Sequence, residues 1–128
     1  MPRAHADHAR IILRFDLNDG ERLGRGKMEL LEHIKATGSI SAAGRSLGMS
    51  YRRAWLLVDA MNQMFRQAVV ESQRGGKQGG GAVVTEFGEE LLARFRLMEA
   101  KVAEALASDL QWLEGELRDT PPKDAGTP

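Results

Sequence analysis

Hydrophobic and polar positions alternate near the start of the chain. The apolar positions of residues 10–17 are Ile11, Leu13, Phe15 and Leu17. A period of two over this length is typical of a half-buried β-strand. The turn-forming residues Asn18-Asp19-Gly20 follow, so we expect the strand to end there.

The pattern then changes to apolar positions three or four residues apart, which is typical of α-helices. We predict helices over residues 24–36, 40–47 and 51–66. Gly38 is expected to end the first helix and Gly48 the second, because glycine accepts left-handed backbone geometry. Two short helices joined by a tight glycine-containing turn have the spacing of a helix-turn-helix.

Serines stand where two of these helices begin. The hydroxyl of Ser39 or Ser41 is predicted to cap the second helix, and that of Ser50 the third. In the third helix one face is expected to be buried, and Trp55 is expected to fill the core beside the methionines, with bracing of this helix as the alternative. The predicted buried face consists of Ala54, Leu57, Val58, Met61 and Phe65.

A β-hairpin is predicted after the third helix. Residues 68–72 and 82–85 are β-prone, and the segment between them is rich in glycine and basic residues. Such a loop cannot pack a core, so we interpret the hairpin as a wing with a basic tip. The strand at 10–17 is expected to join its sheet as a third strand.

A long helix is predicted from Glu86 to about Leu117, with Thr85 as its cap. At ~1.5 Å per residue it would be roughly 45–50 Å long. Its apolar spacing is close to that of a coiled-coil seam, so we predict a homodimer; the alternative is an amphipathic helix packed on its own domain. The predicted dimerisation residues are Leu91, Phe95, Met98, Val102, Leu110 and Leu113, and the stripe extends to Leu117.

These elements predict a mainly α fold with a small antiparallel sheet: a winged helix-turn-helix followed by a long C-terminal dimerisation helix. The expected organisation is a flexible tail at 1–9, the winged domain at 10–85, the dimerisation helix at 86–117 and a disordered tail at 118–128. Three prolines and several polar residues dominate the last ten positions.

Charge is distributed unevenly although the net charge is zero. Residues 22–82 hold ten Lys and Arg against four acids, and the remainder holds eight against fourteen. A basic middle between acidic ends favours a polyanionic partner. The alternative is that these charges only solvate the exposed faces of helices. The chain has no cysteine and no long apolar stretch, so we expect a cytoplasmic protein without membrane spans.

The start of the third helix carries the residues expected to contact double-stranded DNA. A recognition helix offers its N-terminal side chains to base edges, and basic or hydroxyl side chains hold phosphates. Arg52 or Arg53 is predicted to read a base; a phosphate contact or plain solvation is the alternative for either. The predicted DNA-binding set is Ser39, Ser41, Arg45, Ser50, Tyr51, Arg52, Arg53, Arg74 and Lys77.

Several motifs together resemble the DNA-binding half of the ModE molybdate-responsive regulators. They are Gly38-Ser39-Ile40-Ser41-Ala42-Ala43, Leu47-Gly48-Met49-Ser50-Tyr51, Ala54-Trp55, Met61-Asn62, the glycine-rich wing and Val84-Thr85-Glu86-Phe87-Gly88. The helix-turn-helix part is also similar to the LysR-type regulators, which is a broader match.

The ModE resemblance implies a homodimer that binds a two-fold DNA site, with the third helix in the major groove. In full-length family members a molybdate-binding region follows the DNA-binding half, and this chain ends where that region would begin. We therefore expect no cofactor, with molybdate or tungstate bound between subunits as an alternative.

Enzyme chemistry is not expected. The glycine-rich segment with Lys77 lacks the Ser or Thr that a phosphate-binding loop needs after its lysine. His5 and His8 lie in the predicted tail, His33 stands alone, and no nucleophile is grouped with a base. No small-molecule substrate is identified. The competing interpretation is a winged-helix adaptor that binds protein and not DNA.

Overall fold

The computed structural model describes residues 9–73 and 81–118. The described chain divides into two compact units, and Ile12–Glu99 form the larger one. The strands are β1 (Arg14–Asp16), β2 (Arg22–Gly24), β3 (Val70–Gln73) and β4 (Gly81–Val84), and the helices are α1 (Arg25–Thr37), α2 (Ile40–Ser46), α3 (Tyr51–Met64), α4 (Glu86–Ala105) and α5 (Ala107–Glu116). The protein is thus mainly helical with two small antiparallel sheets.

The first three helices lie close to their predicted positions because their ends are encoded locally. Gly38 is left-handed at φ 72° and ends α1, and its N–H donates to the carbonyl oxygen of Ile34. Ser39 caps α2 by accepting from the N–H of Ala42, and Ser50 caps α3 by accepting from that of Arg53. Of the two serines proposed as caps of α2, Ser39 is therefore the one in place.

The prediction for the N-terminal strand is wrong in two respects. Only Arg14–Asp16 are in strand conformation, and they pair with β2, not with the hairpin. Residues 22–24 were not expected to form a strand. The short turn at Asn18–Gly20 returns the chain directly, so an adjacent partner is reached at low entropic cost.

The second sheet is the predicted hairpin. β3 pairs with β4 from Val70 opposite Val84 to Gln73 opposite Gly81. Asn62 in α3 holds the start of this hairpin: its Oδ1 accepts from the N–H groups of Val69 (2.7 Å) and Val70 (3.2 Å), and its Nδ2 donates to the carbonyl oxygen of Val70 (3.0 Å). One side chain thereby sets the position of the hairpin on α3.

Thr85 joins the hairpin to the last long helix. Its hydroxyl donates to the carbonyl oxygen of Ala68 (2.7 Å) and accepts from the N–H of Gly88 (2.9 Å). The predicted cap of α4 is therefore confirmed. Gly88 is tightly enclosed, since a Cβ there would overlap the carbonyl oxygen of Val69.

The core of the larger unit draws on all of its helices. The largest fully buried side chains are Phe95, Met28, Leu30, Leu31, Ile34, Met61 and Val69. Phe95 meets Phe15 edge to face at a ring distance of 6.0 Å. Across the surface, Arg96 of α4 binds Glu32 of α1 through two hydrogen bonds of 2.7 and 3.0 Å. These bonds, together with one to Glu99, raise the pKa of Arg96.

Part of the predicted dimerisation seam belongs to this core. Phe95 is completely buried within its own chain, so it is not available to a second one, and assigning it to the seam was wrong. Leu91 and Met98 are partly buried against the same core. The sequence pattern did not distinguish the two roles, because a core-facing stripe and a coiled-coil seam have nearly the same spacing.

The predicted single C-terminal helix is interrupted. α4 ends at Ala105, Leu106 leaves helical geometry at φ −106° and ψ 10°, and α5 begins at Ala107. Asp109 then lies in the first turn of α5, where the helix dipole favours a negative charge. In the described ranges no helix is long and apolar enough to cross a membrane.

Candidate nucleic-acid interface

The interface candidate is built where α2 and α3 meet. Gly44 of α2 is buried, and a Cβ there would lie 3.0 Å from the Cβ of Ala54 in α3, so the two helices approach closely. Gly48 at φ 73° and the bond from the N–H of Met49 to the carbonyl oxygen of Gly44 (2.9 Å) close the turn. This close contact between Gly44 and Ala54 was not expected from the sequence.

The first turn of α3 presents its side chains to solvent. Tyr51 is 57% exposed, and Arg52 and Arg53 are exposed as well. No acidic residue lies in this turn. Ser50 is exposed, and its hydroxyl is used to cap the helix. The structure thus brings these four predicted DNA-binding residues together on one helix end that carries two positive charges.

Trp55 does not lie in the core, contrary to the sequence-based prediction. It is 45% exposed and lines a shallow groove with Tyr51 and Arg52. One turn separates Tyr51 from Trp55, so their rings share a face of α3. An exposed aromatic pair beside an arginine can stack on sugars or contact thymine methyl groups.

The predicted residues on α2 form a separate pair. The guanidinium of Arg45 donates to the hydroxyl of Ser41 at 2.9 Å, and both are in the exposed part of the helix. Ser39 is half-buried and serves as the cap of α2. Arg74 and Lys77 of the predicted wing tip lie outside the described residues.

Arg53 faces a second group of basic residues that the sequence analysis did not assign to a site. It lines a cavity of about 340 Å³ together with Arg14, Arg22, Arg25 and Lys27. The basic positions at 22, 25 and 27 were visible in the charge count, but their approach to Arg53 depends on how β2 and α1 pack against α3. Burial lowers the pKa of Lys27, and Arg22 and Arg53 lower it further against the opposing effect of Glu21.

Of the remaining predicted dimerisation residues, Val102 and Leu110 are half-buried and Leu113 is 48% exposed. α5 has no buried residue. Its exposed apolar side chains include Trp112 at 65%.

Taken together, the described residues form a mainly helical protein with two small antiparallel sheets and an exposed cationic helix end. The chain matches no protein-family model. It is 49% identical over 89 residues to the molybdenum-pterin-binding protein MopB of Rhodobacter capsulatus. These 89 residues are 70% of this chain and 33% of that relative.

Two further relatives carry the name ModE. The DNA-binding transcriptional dual regulator ModE of Escherichia coli (strain K12) is 36% identical over 104 residues, which are 79% of this chain and 40% of the relative. The molybdenum transport protein ModE of Azotobacter vinelandii is 34% identical over 94 residues, which are 73% and 35%. The chain spans about a third to two fifths of the length of these curated relatives. The resemblance to ModE proteins is thereby confirmed, whereas the likeness to LysR-type regulators stays a prediction.

Proposed function

We propose that the chain is a sequence-specific DNA-binding transcription regulator whose residues 12–85 act as a winged helix-turn-helix. The observation that carries this proposal is the exposed first turn of α3, where Arg52 and Arg53 follow the Ser50 cap with no acid among them. α2 braces this helix through the Gly44 contact. The ModE relatives support the regulatory role, since one is named a DNA-binding transcriptional dual regulator.

In this proposal α3 enters the major groove and the hairpin lies on the flanking backbone or minor groove. Arg is the usual bidentate partner of guanine, and one such pair discriminates by roughly 1–3 kcal/mol. Arg52 shares its groove with Tyr51 and Trp55, so this face of α3 is the one that reads base edges. The names of the relatives connect them with molybdenum, and we extend that connection to the genes that this chain regulates.

Selection of duplexes from a random pool with the purified protein tests the function. A specific regulator enriches one motif, and the motif reports half-site, spacing and symmetry together. Arg52→Ala is expected to weaken binding to the selected site by about tenfold or more and to leave scrambled DNA nearly unaffected. Absence of any enriched motif would contradict the proposal.

Homodimerisation is the second part of the proposal. Leu106, Trp112, Leu113 and Leu117 are between 42% and 65% exposed, which is unusual for so many large apolar side chains in one short segment. A second copy packed along this segment would cover them. Sedimentation equilibrium of the full chain should give a dimer, and Leu113→Glu should shift it toward the monomer; a monomeric wild type would refute this part.

The adaptor alternative is favoured by one observation. Trp55 and Leu56 are both about half exposed on α3, and apolar side chains of this size are typical of protein interfaces. The duplex selection separates the two functions, because an adaptor would enrich no DNA motif. We assign no catalysis and no cofactor to the chain.

A further inference from the structure

A cavity beside the start of α3 is lined by apolar side chains, Ile12, Leu13, Met49 and Leu57 among them, and by a rim of basic residues. Five of the residues that line it are basic, and they come from three parts of the fold: Arg14 and Arg22 from the β1–β2 hairpin, Arg25 and Lys27 from α1, and Arg53 from α3. No acidic side chain is among the described residues that line it. Like charges do not gather in one place without an electrostatic cost, so the cluster points to an anionic occupant.

The positive charge of this cavity is only partly neutralised. Arg14 pairs with Asp16 at 2.8 Å, and Arg25 pairs more loosely with Glu29 at 3.4 Å. Within the described ranges no ion pair involves Arg22, Lys27 or Arg53. Three cationic side chains therefore line the same space without an ion pair, although the carboxylate of Glu21 is near enough to act on Lys27.

Lys27 is held in place at this cavity. Its Nζ donates to the carbonyl oxygen of Arg22 at 2.6 Å, which leaves two of its three N–H donors for a ligand. Burial lowers its pKa, and the nearby guanidinium groups of Arg22 and Arg53 act in the same direction while Glu21 opposes them. An anion bound among these groups would relieve that repulsion, because it lies close to all three charges.

We propose that this cavity binds a backbone phosphate of the DNA, held by Lys27, Arg22 and Arg53, next to the major groove that α3 occupies. The inference rests on the proposed function and deepens it. It divides the two arginines of α3 between two tasks: Arg53 holds phosphate with the N-terminal hairpin, and Arg52, in the groove with Tyr51 and Trp55, is left to read bases. DNA is favoured over a free phosphate as the source because Arg53 belongs to the exposed helix end that faces the duplex.

The salt dependence of DNA binding measures the number of phosphate contacts. Each contact contributes about 0.9 to the slope of log K against log salt. Lys27→Gln is expected to reduce that slope by about one, to weaken binding to cognate and scrambled duplexes alike, and to leave the selected motif unchanged. Lys35→Gln is the matched control, since Lys35 lies at the other end of the same helix and pairs with Glu89 at 2.8 Å, away from the cavity.

A second variant distinguishes a loss of DNA binding from a loss of folding. Nothing lies within 4 Å of a Cβ built on Gly26, which lines the cavity in the first turn of α1. Gly26→Glu therefore fits sterically and places a carboxylate where a helix accepts one favourably. It should weaken duplex binding more than Lys27→Gln does, while the thermal midpoint of unfolding stays the same or rises.

Ethylation interference identifies the phosphate itself. With wild-type protein, ethylation of one phosphate per half-site should block binding. With the Lys27→Gln variant, ethylation at that phosphate should no longer affect binding. If Lys27→Gln gave the interference pattern and the salt slope of the wild type, the inference would be overturned. The proposed function would still stand, provided that the wild type binds DNA. Wild-type protein that selects no motif would remove both. Submillimolar binding of inorganic phosphate that Lys27→Gln abolishes, with an unchanged salt slope, would overturn the assignment to DNA and identify a free phosphate as the ligand.

Discussion

Asn62→Ala should detach the hairpin from α3. The Asn62 side chain accepts from the N–H groups of Val69 and Val70 and donates to the carbonyl oxygen of Val70, at 2.7, 3.2 and 3.0 Å. A hydrogen bond contributes about 0.5–1.5 kcal/mol net, and a buried group left without a partner costs about 1–3 kcal/mol. Because the site is only partly buried, water replaces some of these partners, so we expect a loss of about 2–3 kcal/mol in the free energy of unfolding.

Urea unfolding monitored by circular dichroism measures this loss in the free energy of unfolding. Gln63→Ala is the matched control, because Gln63 is the next residue of α3 and is exposed; its effect should stay within about 0.5 kcal/mol. Asn62→Ala should also bind DNA less tightly than its remaining folded fraction explains, since the β3–β4 hairpin no longer has a fixed position on α3. A loss under about 0.5 kcal/mol for Asn62→Ala would show that the three bonds do not set the hairpin position.

Three further substitutions test the packing and the helix caps. Gly88→Ala should destabilise the fold by about 2 kcal/mol or more, because its Cβ would meet the carbonyl oxygen of Val69; a thermal midpoint equal to that of the wild type would refute the close approach. Phe95→Ala should cost about 3–5 kcal/mol in urea unfolding without a change of oligomeric state, whereas dissociation of the dimer would restore Phe95 to the seam. Ser50→Ala should cost about 1 kcal/mol through loss of the cap on the N–H of Arg53, and Ser50→Asp, which keeps an acceptor, should recover it.

Much of the helical part of the fold could be predicted from the sequence because its signals are local. Gly38, Ser39 and Ser50 act on backbone groups at most four residues away. The hairpin was predictable for the same reason, since two β-prone runs flank a glycine-rich segment. That Tyr51, Arg52 and Arg53 are adjacent at the start of α3 follows from the helix boundary, whereas their exposure depends on packing.

Roles that depend on contacts between distant segments could not be read from the pattern. Phe95 fits a seam and a core equally well by spacing, and only the core that encloses it, with Phe15 against its ring, decides between them. Trp55 is apolar by type but is exposed because its position on α3 turns it away from α1 and α2.

The sequence by itself determined the first three helices, the caps at Ser39, Ser50 and Thr85, the β3–β4 hairpin and the basic character of the middle of the chain, because each depends on neighbours close in the sequence. Only the tertiary structure decided that the β1–β2 hairpin, the start of α1 and the start of α3 meet, so that Arg22, Lys27 and Arg53 line one cavity. Side-chain periodicity reports which face of an element is buried, but it carries no information on which other segment covers that face. The cationic cavity is therefore a property of the folded chain and not of any motif within it.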